Sequence, residues 1–338
     1  MKKDIAEKRL GAYPDVAADI INGILYDGHP TVHEENLKQI SGVSHLPMAE
    51  KGFKELTRDL NFRDEEHGCC YVFYGIENQS EVDNTMPLRV VGYDIASYLK
   101  QVDEYQDKNK AERNPAYVKK LHDDQKLVPT VTLVLYYGKN WTGPKKLSDM
   151  LALTGREGVE PYLLDYRLNL VELGADKELY KRFHSDFRLI VQYLSIRDDK
   201  QALREFMRDD RKRIRHVSEF LDMMSSIGRD TDYKRIKNQV IEKEQEGEVT
   251  MCIIAQELIQ EGKSLGLQLG ENMKLISLIC KKLEKNKSSE EIAEELEEET
   301  SVIEPICELA IRYKSEHGAF DVQEICESIV NNNEGLVN

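Results

Sequence analysis

Glu77 and Gln79 stand two residues apart in Ile76-Glu77-Asn78-Gln79-Ser80, directly after the apolar segment Tyr71–Ile76. Residues two apart on an extended chain point to the same side. Asp59 precedes them in Leu56-Thr57-Arg58-Asp59-Leu60. If these segments form a hairpin, Asp59 on the first strand meets Glu77 at the end of the second, because residues paired on one face lie about 5 Å apart at Cβ. Two carboxylates and an amide offer oxygen donors to a hard cation, Mg²⁺ or its substitute Mn²⁺. Phosphodiester hydrolysis needs such a set: the cation offsets the phosphate charge and acidifies a bound water. Asp59 and Glu77 are expected to hold the metal, and Gln79 to orient the attacking water or a phosphate oxygen. Asp15 and Asp19, four apart, could add a further carboxylate, with Asp15 preferred. Arg89 and Tyr93, also four apart, could face the site, with Arg89 on phosphate. Solvated edge carboxylates and a surface Arg stacked on Tyr are the plainer alternatives. The position of Glu77 and Gln79, after a buried strand and before a capped helix, favours a site.

The elements that must position these residues follow from the pattern. Tyr13–Leu25 has helical apolar spacing at Val16, Ala17, Ile20, Ile21 and Ile24, with Pro14 and Asp15 suited to a first turn. Residues 31–55 are polar and give no clear assignment. Leu56–Phe62 and Tyr71–Ile76 read as a hairpin around the polar turn Glu65-Glu66-His67-Gly68. A helix starts near Asn84 or Thr85, with Pro87 in its first turn and an apolar face of Leu88, Val91, Ile95, Tyr98 and Leu99. Residues 103–126 form a charged loop or exposed helical excursion. Val128–Tyr137 is the strongest strand, and Tyr166–Leu173 alternates as another. The order helix, hairpin, helix, strand matches the core of metal-dependent nucleases, short of one early strand. Residues 177–226 and 233–268 read as helical. Further helices are expected at 275–285, 289–298 and 301–315, with Ser288-Ser289-Glu290-Glu291 a capped start.

The 338 residues allow two or three compact units, and an apolar share of 40% is enough for a substantial core. No apolar run reaches the length of about 18 residues that a membrane span needs, and the charged N-terminus does not read as a signal peptide. The six cysteines show no CxxC pair, so a reducing cytoplasm fits best. The net charge of −15 is unevenly spread. From Ile241 onward 22 acidic residues face 9 basic ones, which leaves only −2 for residues 1–240. A nearly neutral body can still present a basic face to DNA. The run Arg208–His216 could track a DNA backbone, although a helix face paired with its own acids is the better reading. The histidines lack HExxH spacing and no Gly-rich phosphate loop occurs, so metalloprotease and nucleotide-hydrolase chemistry gain little support.

Five stretches together resemble the bacterial recombination-promoting nuclease / putative transposase family of the PD-(D/E)XK superfamily. They are YPDVAADIINGIL, RDL, GIENQSEVDNTMPLRVVGYD, VPTVTLVLYYGKNW and FHSDFR. The resemblance covers roughly residues 8–225. It implies an α/β fold with a PD-(D/E)XK restriction-endonuclease-like core, a mixed sheet flanked by helices, and a helical C-terminal extension. It also implies a divalent-metal DNA endonuclease linked to recombination or mobile elements. Its core acid falls on Asp59, its E-x-Q acid on Glu77, the third position on Gln79 and a first-helix acid on Asp15. Many superfamily members carry Lys where this chain has Gln79, and a neutral amide cannot stabilise charge as an ammonium does. The expected organisation is a nuclease core at 1–175, a helical extension at 176–240, a charged helical linker at 241–274 and an acidic helical unit at 275–338. Homo-oligomerisation through the C-terminal helices is a further expectation, and no membrane partner is expected. The rival expectation is a nuclease-derived DNA-binding or assembly protein that no longer cuts.

Overall fold

The computed structural model describes residues 2–48, 52–112, 121–152, 158–228 and 230–334. The chain divides into two compact units, Met1–Ala255 and Gln256–Asn338.

The first unit opens on helices α1 (Lys2–Gly11) and α2 (Pro14–Leu25). α2 is the helix expected from its apolar spacing. Pro14 sits in the first turn, where its missing N–H is harmless, and Val16, Ala17, Ile20 and Ile21 are buried. α1 was not expected, because KKDIAEKRLG has little apolar periodicity. Burial of Ala6 and Leu10 anchors it.

Strands β1 (Leu37–Gln39), β2 (Val43–Met48), β3 (Gly52–Thr57), β4 (Leu60–Glu66) and β5 (Cys69–Gln79) follow. Helix α3 (Met86–Ala111), β6 (Thr130–Tyr136) and β7 (Asn169–Glu172) complete the layer. β2 and β3 pair as a separate two-stranded ribbon, and the other five strands form one mixed sheet in the order β1-β4-β5-β6-β7. β1, β4 and β5 are antiparallel neighbours, whereas β6 and β7 run parallel to β5. The β4–β5 turn places His67 and Gly68 at φ of 51° and 79°, as a tight two-residue hairpin turn requires. Thr132, Leu133, Val134 and Leu135 of β6 are all buried, so both faces of this strand are covered. That explains its unbroken apolar run, the usual pattern of an interior parallel strand.

Three expectations are corrected. The single strand Leu56–Phe62 is two strands broken at Arg58–Asp59, so Asp59 stands just before β4 rather than on a strand. The break has a cause. The Arg58 N–H donates to the Gly42 carbonyl at 2.9 Å, and its guanidinium turns inward to Asp94 at 2.9 Å and Asn61 at 3.1 Å. Second, β5 extends past Ile76, so Glu77 lies inside it. Third, α3 is rotated from the face its hydropathy suggested. Met86, Val90, Tyr93, Asp94 and Gln101 are buried, together with Val91 of the expected face, while Leu88, Ile95 and Leu99 are 55%, 40% and 41% exposed. Buried hydrogen bonds set this rotation: Asp94 accepts from Arg58 and Thr132, and Gln101 both donates to and accepts from the Val128 backbone.

Helices α4 (Phe187–Ile196), α5 (Lys200–Asp209), α6 (Val217–Gly228), α7 (Asp232–Arg235) and α8 (Lys237–Glu246) finish the first unit. α6 packs on α1, and α4 on α2. The second unit takes in most of α9 (Met251–Leu283), then α10 (Ser289–Leu296), α11 (Thr300–His317) and α12 (Val322–Glu334). Ser288 caps α10 reciprocally with Glu291, as expected. Ile276, Cys280, Ala310, Ile325 and Cys326 form one of its core clusters. Among the described residues no helix is long and apolar enough to cross a membrane.

Candidate functional site

Asp59 and Glu77 occupy opposed positions at one end of the β4–β5 pair, one step beyond the Leu60–Ile76 register. The two residues are laced together through backbone groups. The Asp59 N–H donates to Glu77 Oε1 at 3.1 Å, and the Asn78 N–H donates to Asp59 Oδ2 at 2.9 Å. Glu77 shares its face of β5 with Gly75 and Gln79, since side chains alternate along a strand. Gly75 is required here: a Cβ would stand 2.5 Å from Arg58 Cδ. The Arg58–Asp94 pair therefore lies beneath the site and ties it to α3. Asp94 also accepts from Thr132 at 2.6 Å and Tyr166 at 2.5 Å.

Each carboxylate also meets a cation. Arg89 Nη2 donates to Glu77 Oε2 at 3.1 Å and to Tyr93 Oη at 3.0 Å, while Nη1 reaches Asp83 Oδ2 at 2.8 Å. The Tyr93 hydroxyl in turn donates a hydrogen bond to the Thr57 carbonyl at 3.0 Å. From α1, Lys8 Nζ lies 2.9 Å from Asp59 Oδ1. Its neighbour Glu7 accepts from Ser80 Oγ at 2.9 Å, just past Gln79. Gln79 ends β5 half-buried, with its carbonyl accepting from the Tyr137 N–H at 2.9 Å.

Exposure divides the group. The Glu77 side chain is 0% exposed, while those of Asp59, Arg89 and Lys8 are 15%, 34% and 38% exposed. Burial pushes the Glu77 carboxyl up to about 7; the Asp59 charge adds to this, and Arg89 pulls against it. Burial likewise raises the Tyr93 hydroxyl, with the Glu77 charge reinforcing it. Burial alone would raise Asp83 too, but hydrogen bonds from Thr85 and Arg89 hold it below the usual carboxylate range. Two like charges meeting at a buried strand pair, with a partly open Asp59, make an arrangement that gains from added positive charge.

The structure brings together Asp59, Glu77, Arg89 and Tyr93. It places Asp15 elsewhere: the Asp15 carboxylate lies 3.0 and 3.1 Å from His216 Nε2 and 3.7 Å from Arg215. Asp19 accepts from the backbone of His184 and Ser185 and from the Ser185 hydroxyl. The basic run Arg208–His216 is engaged by acids, with Arg208 on Asp209, Arg213 on Glu248 and Arg215 on Asp15. Among the described residues no three or more His, Cys, Asp or Glu side chains form a metal cage.

Sequence reasoning missed Lys8, Glu7, Asp83 and the Arg58–Asp94 pair. Asp83 had a readable signal, an Asp two residues before Thr85 at a helix start; its Oδ1 accepts the Thr85 N–H at 2.8 Å. Lys8 had none, because α1 was not legible.

The family described as "Putative transposase, YhgA-like" matches residues 43–219, just over half of the chain. The matched stretch contains Asp59, Glu77, Gln79, Arg89 and Tyr93, and leaves out Lys8 and Asp15. No curated protein and no solved structure matches the chain. Chemistry-bearing residues and family match thus fall on the same segment, and the chain belongs to the YhgA-like putative transposase family.

Proposed function

We propose that this protein is a Mg²⁺-dependent DNA endonuclease with a PD-(D/E)XK-type core, acting in recombination or mobile-element movement. The observation that carries this reading is the meeting of Asp59 and Glu77 at the end of the β4–β5 pair, where Glu77 accepts the Asp59 N–H and Asp59 accepts the N–H of Asn78. The donor set fits the ion. Mg²⁺ is commonly held by one or two carboxylates, with waters and substrate phosphate filling the remaining positions. Asp59 and Glu77 would hold it, and the Gln79 amide lies on the same face of the strand. Bound there, the cation would offset the phosphate charge and lower the pKa of a water.

The chain's own residues supply the rest. The N–H groups of Asp59 and Asn78 orient the two carboxylates. Arg89 is held by Asp83 and Tyr93, and its partly exposed side chain can bring it to a DNA phosphate. Gln79 acts through hydrogen bonds, orienting the attacking water or a phosphate oxygen. The products are a 5′-phosphate and a 3′-hydroxyl. Plasmid nicking in Mg²⁺ tests the reading: the parent cuts and Asp59→Ala does not. Equal cutting by both ends the proposal.

A second reading rests on a specific observation. Arg89 on the fully buried Glu77 and Lys8 on Asp59 compensate both acids without a metal. This favours a nuclease-derived protein that binds or assembles on DNA without cutting it. Filter binding of DNA at full strength in EDTA, with no nicking at any Mg²⁺ concentration, would establish that alternative. Self-association through α9 belongs to either reading, since Ile259, Leu265, Leu267 and Leu269 on that helix are 58%, 40%, 70% and 45% exposed.

A further inference from the structure

We propose that Lys8, reaching in from α1, supplies the ammonium that the E-x-Q element lacks at Gln79, so that Lys8 is a catalytic residue facing the scissile phosphate beside Asp59. This rests on the reading of Asp59 and Glu77 as a hydrolytic centre.

Three observations converge on Lys8. Its Nζ lies 2.9 Å from Asp59 Oδ1, and its side chain is 38% exposed, so the residue reaches the carboxylate while staying partly open to solvent. The adjoining residue, Glu7, takes the Ser80 hydroxyl at 2.9 Å. Consecutive residues of α1 thus grip the two ends of the site: Asp59 on one side and the residue after Gln79 on the other. Burial of Ala6 and Leu10 fixes the helix that carries them. Gln79 itself is an amide and brings no charge to its face of the strand. Arg89, the other cation, stands on Glu77 rather than on Asp59, with Asp83 and Tyr93 as its further partners.

An ammonium is a compact charge on a flexible stem, suited to following a phosphate as charge develops on it. Lys8 would keep its proton throughout. In the step it assists, the oxygen of water bonds to phosphorus and the bond from phosphorus to the 3′ oxygen breaks. The leaving oxygen takes one proton, and the remaining one stays with the new 5′-phosphate or passes to solvent. Lys8 contributes charge stabilisation only.

Two measurements on the full chain separate this role from a structural one: plasmid nicking in Mg²⁺, and Mn²⁺ titration without DNA. Lys8→Ala should cut about 100-fold more slowly than the parent. It should nonetheless bind Mn²⁺ more tightly, because the ammonium no longer competes for Asp59. Lys8→Arg should retain part of the activity, and Gln79→Lys placed on Lys8→Ala should restore it. A structural residue would lose cutting and Mn²⁺ binding together, and that joint loss overturns the inference. Faster or unchanged cutting by Lys8→Ala overturns it as well, since Lys8 would then be a plug or a bystander. If Lys8→Ala stays active while Asp59→Ala is dead, the hydrolytic reading survives and only Lys8 falls. A parent that never cuts removes both.

Discussion

Two groups of buried or half-buried carboxylates in the first unit are held in different ways. At one, Asp19 and Asp186 each accept several backbone N–H groups, from His184 and Ser185 and from Arg215 and His216 respectively. These acids stitch α2, the start of α4 and the approach to α6 together. At the other, Glu77 receives one backbone N–H and one arginine, and faces the charge of Asp59. Burial raises Asp186 as it raises Glu77, and backbone donors from His216 and Arg215 offset only part of that rise. The lesson is that burial of an acid does not mark a functional site. On the proposed reading, what sets Glu77 apart is the nearby Asp59 charge with few neutral donors to offset it.

The contrast can be broken by substitution. The largest stability loss should come from the Arg58–Asp94 pair under the site, whose side chains are 3% and 7% exposed. Asp94→Ala leaves a buried guanidinium uncompensated and should cost about 3–5 kcal/mol in urea unfolding. Next is Asp19→Ala, which orphans the N–H groups of His184 and Ser185 and should cost about 2–3 kcal/mol. Its cutting rate per folded molecule should match the parent. A stable Asp19→Ala protein that has lost activity would erase the distinction between the two groups.

Glu77→Gln should behave in the opposite way, losing cutting while keeping the fold. The sign of its pH dependence follows from the raised carboxyl. In the folded chain Glu77 holds its proton up to about 7, against an ordinary value of 4.5, so the native state binds more protons between those limits. This contribution to stability is complete below the ordinary value and falls away as pH rises through about 7. In EDTA, the parent's melting temperature should therefore drop from pH 5 to 8 more steeply than that of Glu77→Gln. Parallel curves would mean that Glu77 is not strained by its surroundings. The smallest effect is expected at Asp15, whose partly exposed pairs with His216 and Arg215 should be worth no more than about 1 kcal/mol. Asp15→Asn should cut like the parent, and a large loss would bring Asp15 back into the site.

How much of this was legible follows a physical divide. α2, β6 and the cap of α10 were readable because apolar period and capping chemistry are local. Asp59, Glu77, Arg89 and Tyr93 could be chosen because a strand pair and an i, i+4 step bring them together. The break at Arg58 could not be read, since its cause is Asp94, a partner 36 positions away. The same pair, with Gln101, rotates α3 so that Leu88 and Ile95 face outward against their hydropathy. Asp15 was chosen by position in the first legible helix, but its partner His216 lies 201 residues on. Lys8 sits on a helix held by tertiary burial alone, with no signal of its own.

Mn²⁺ titration of the full chain without DNA, followed by calorimetry or electron paramagnetic resonance, tests the meeting of Asp59 and Glu77 around an ion most directly. The parent should bind Mn²⁺, Asp59→Asn and Glu77→Gln should each lose that binding while keeping the parent's circular dichroism, and Asp15→Asn should keep it. A parent that binds no Mn²⁺, or an Asp59→Asn protein that binds it as tightly as the parent, would contradict the account.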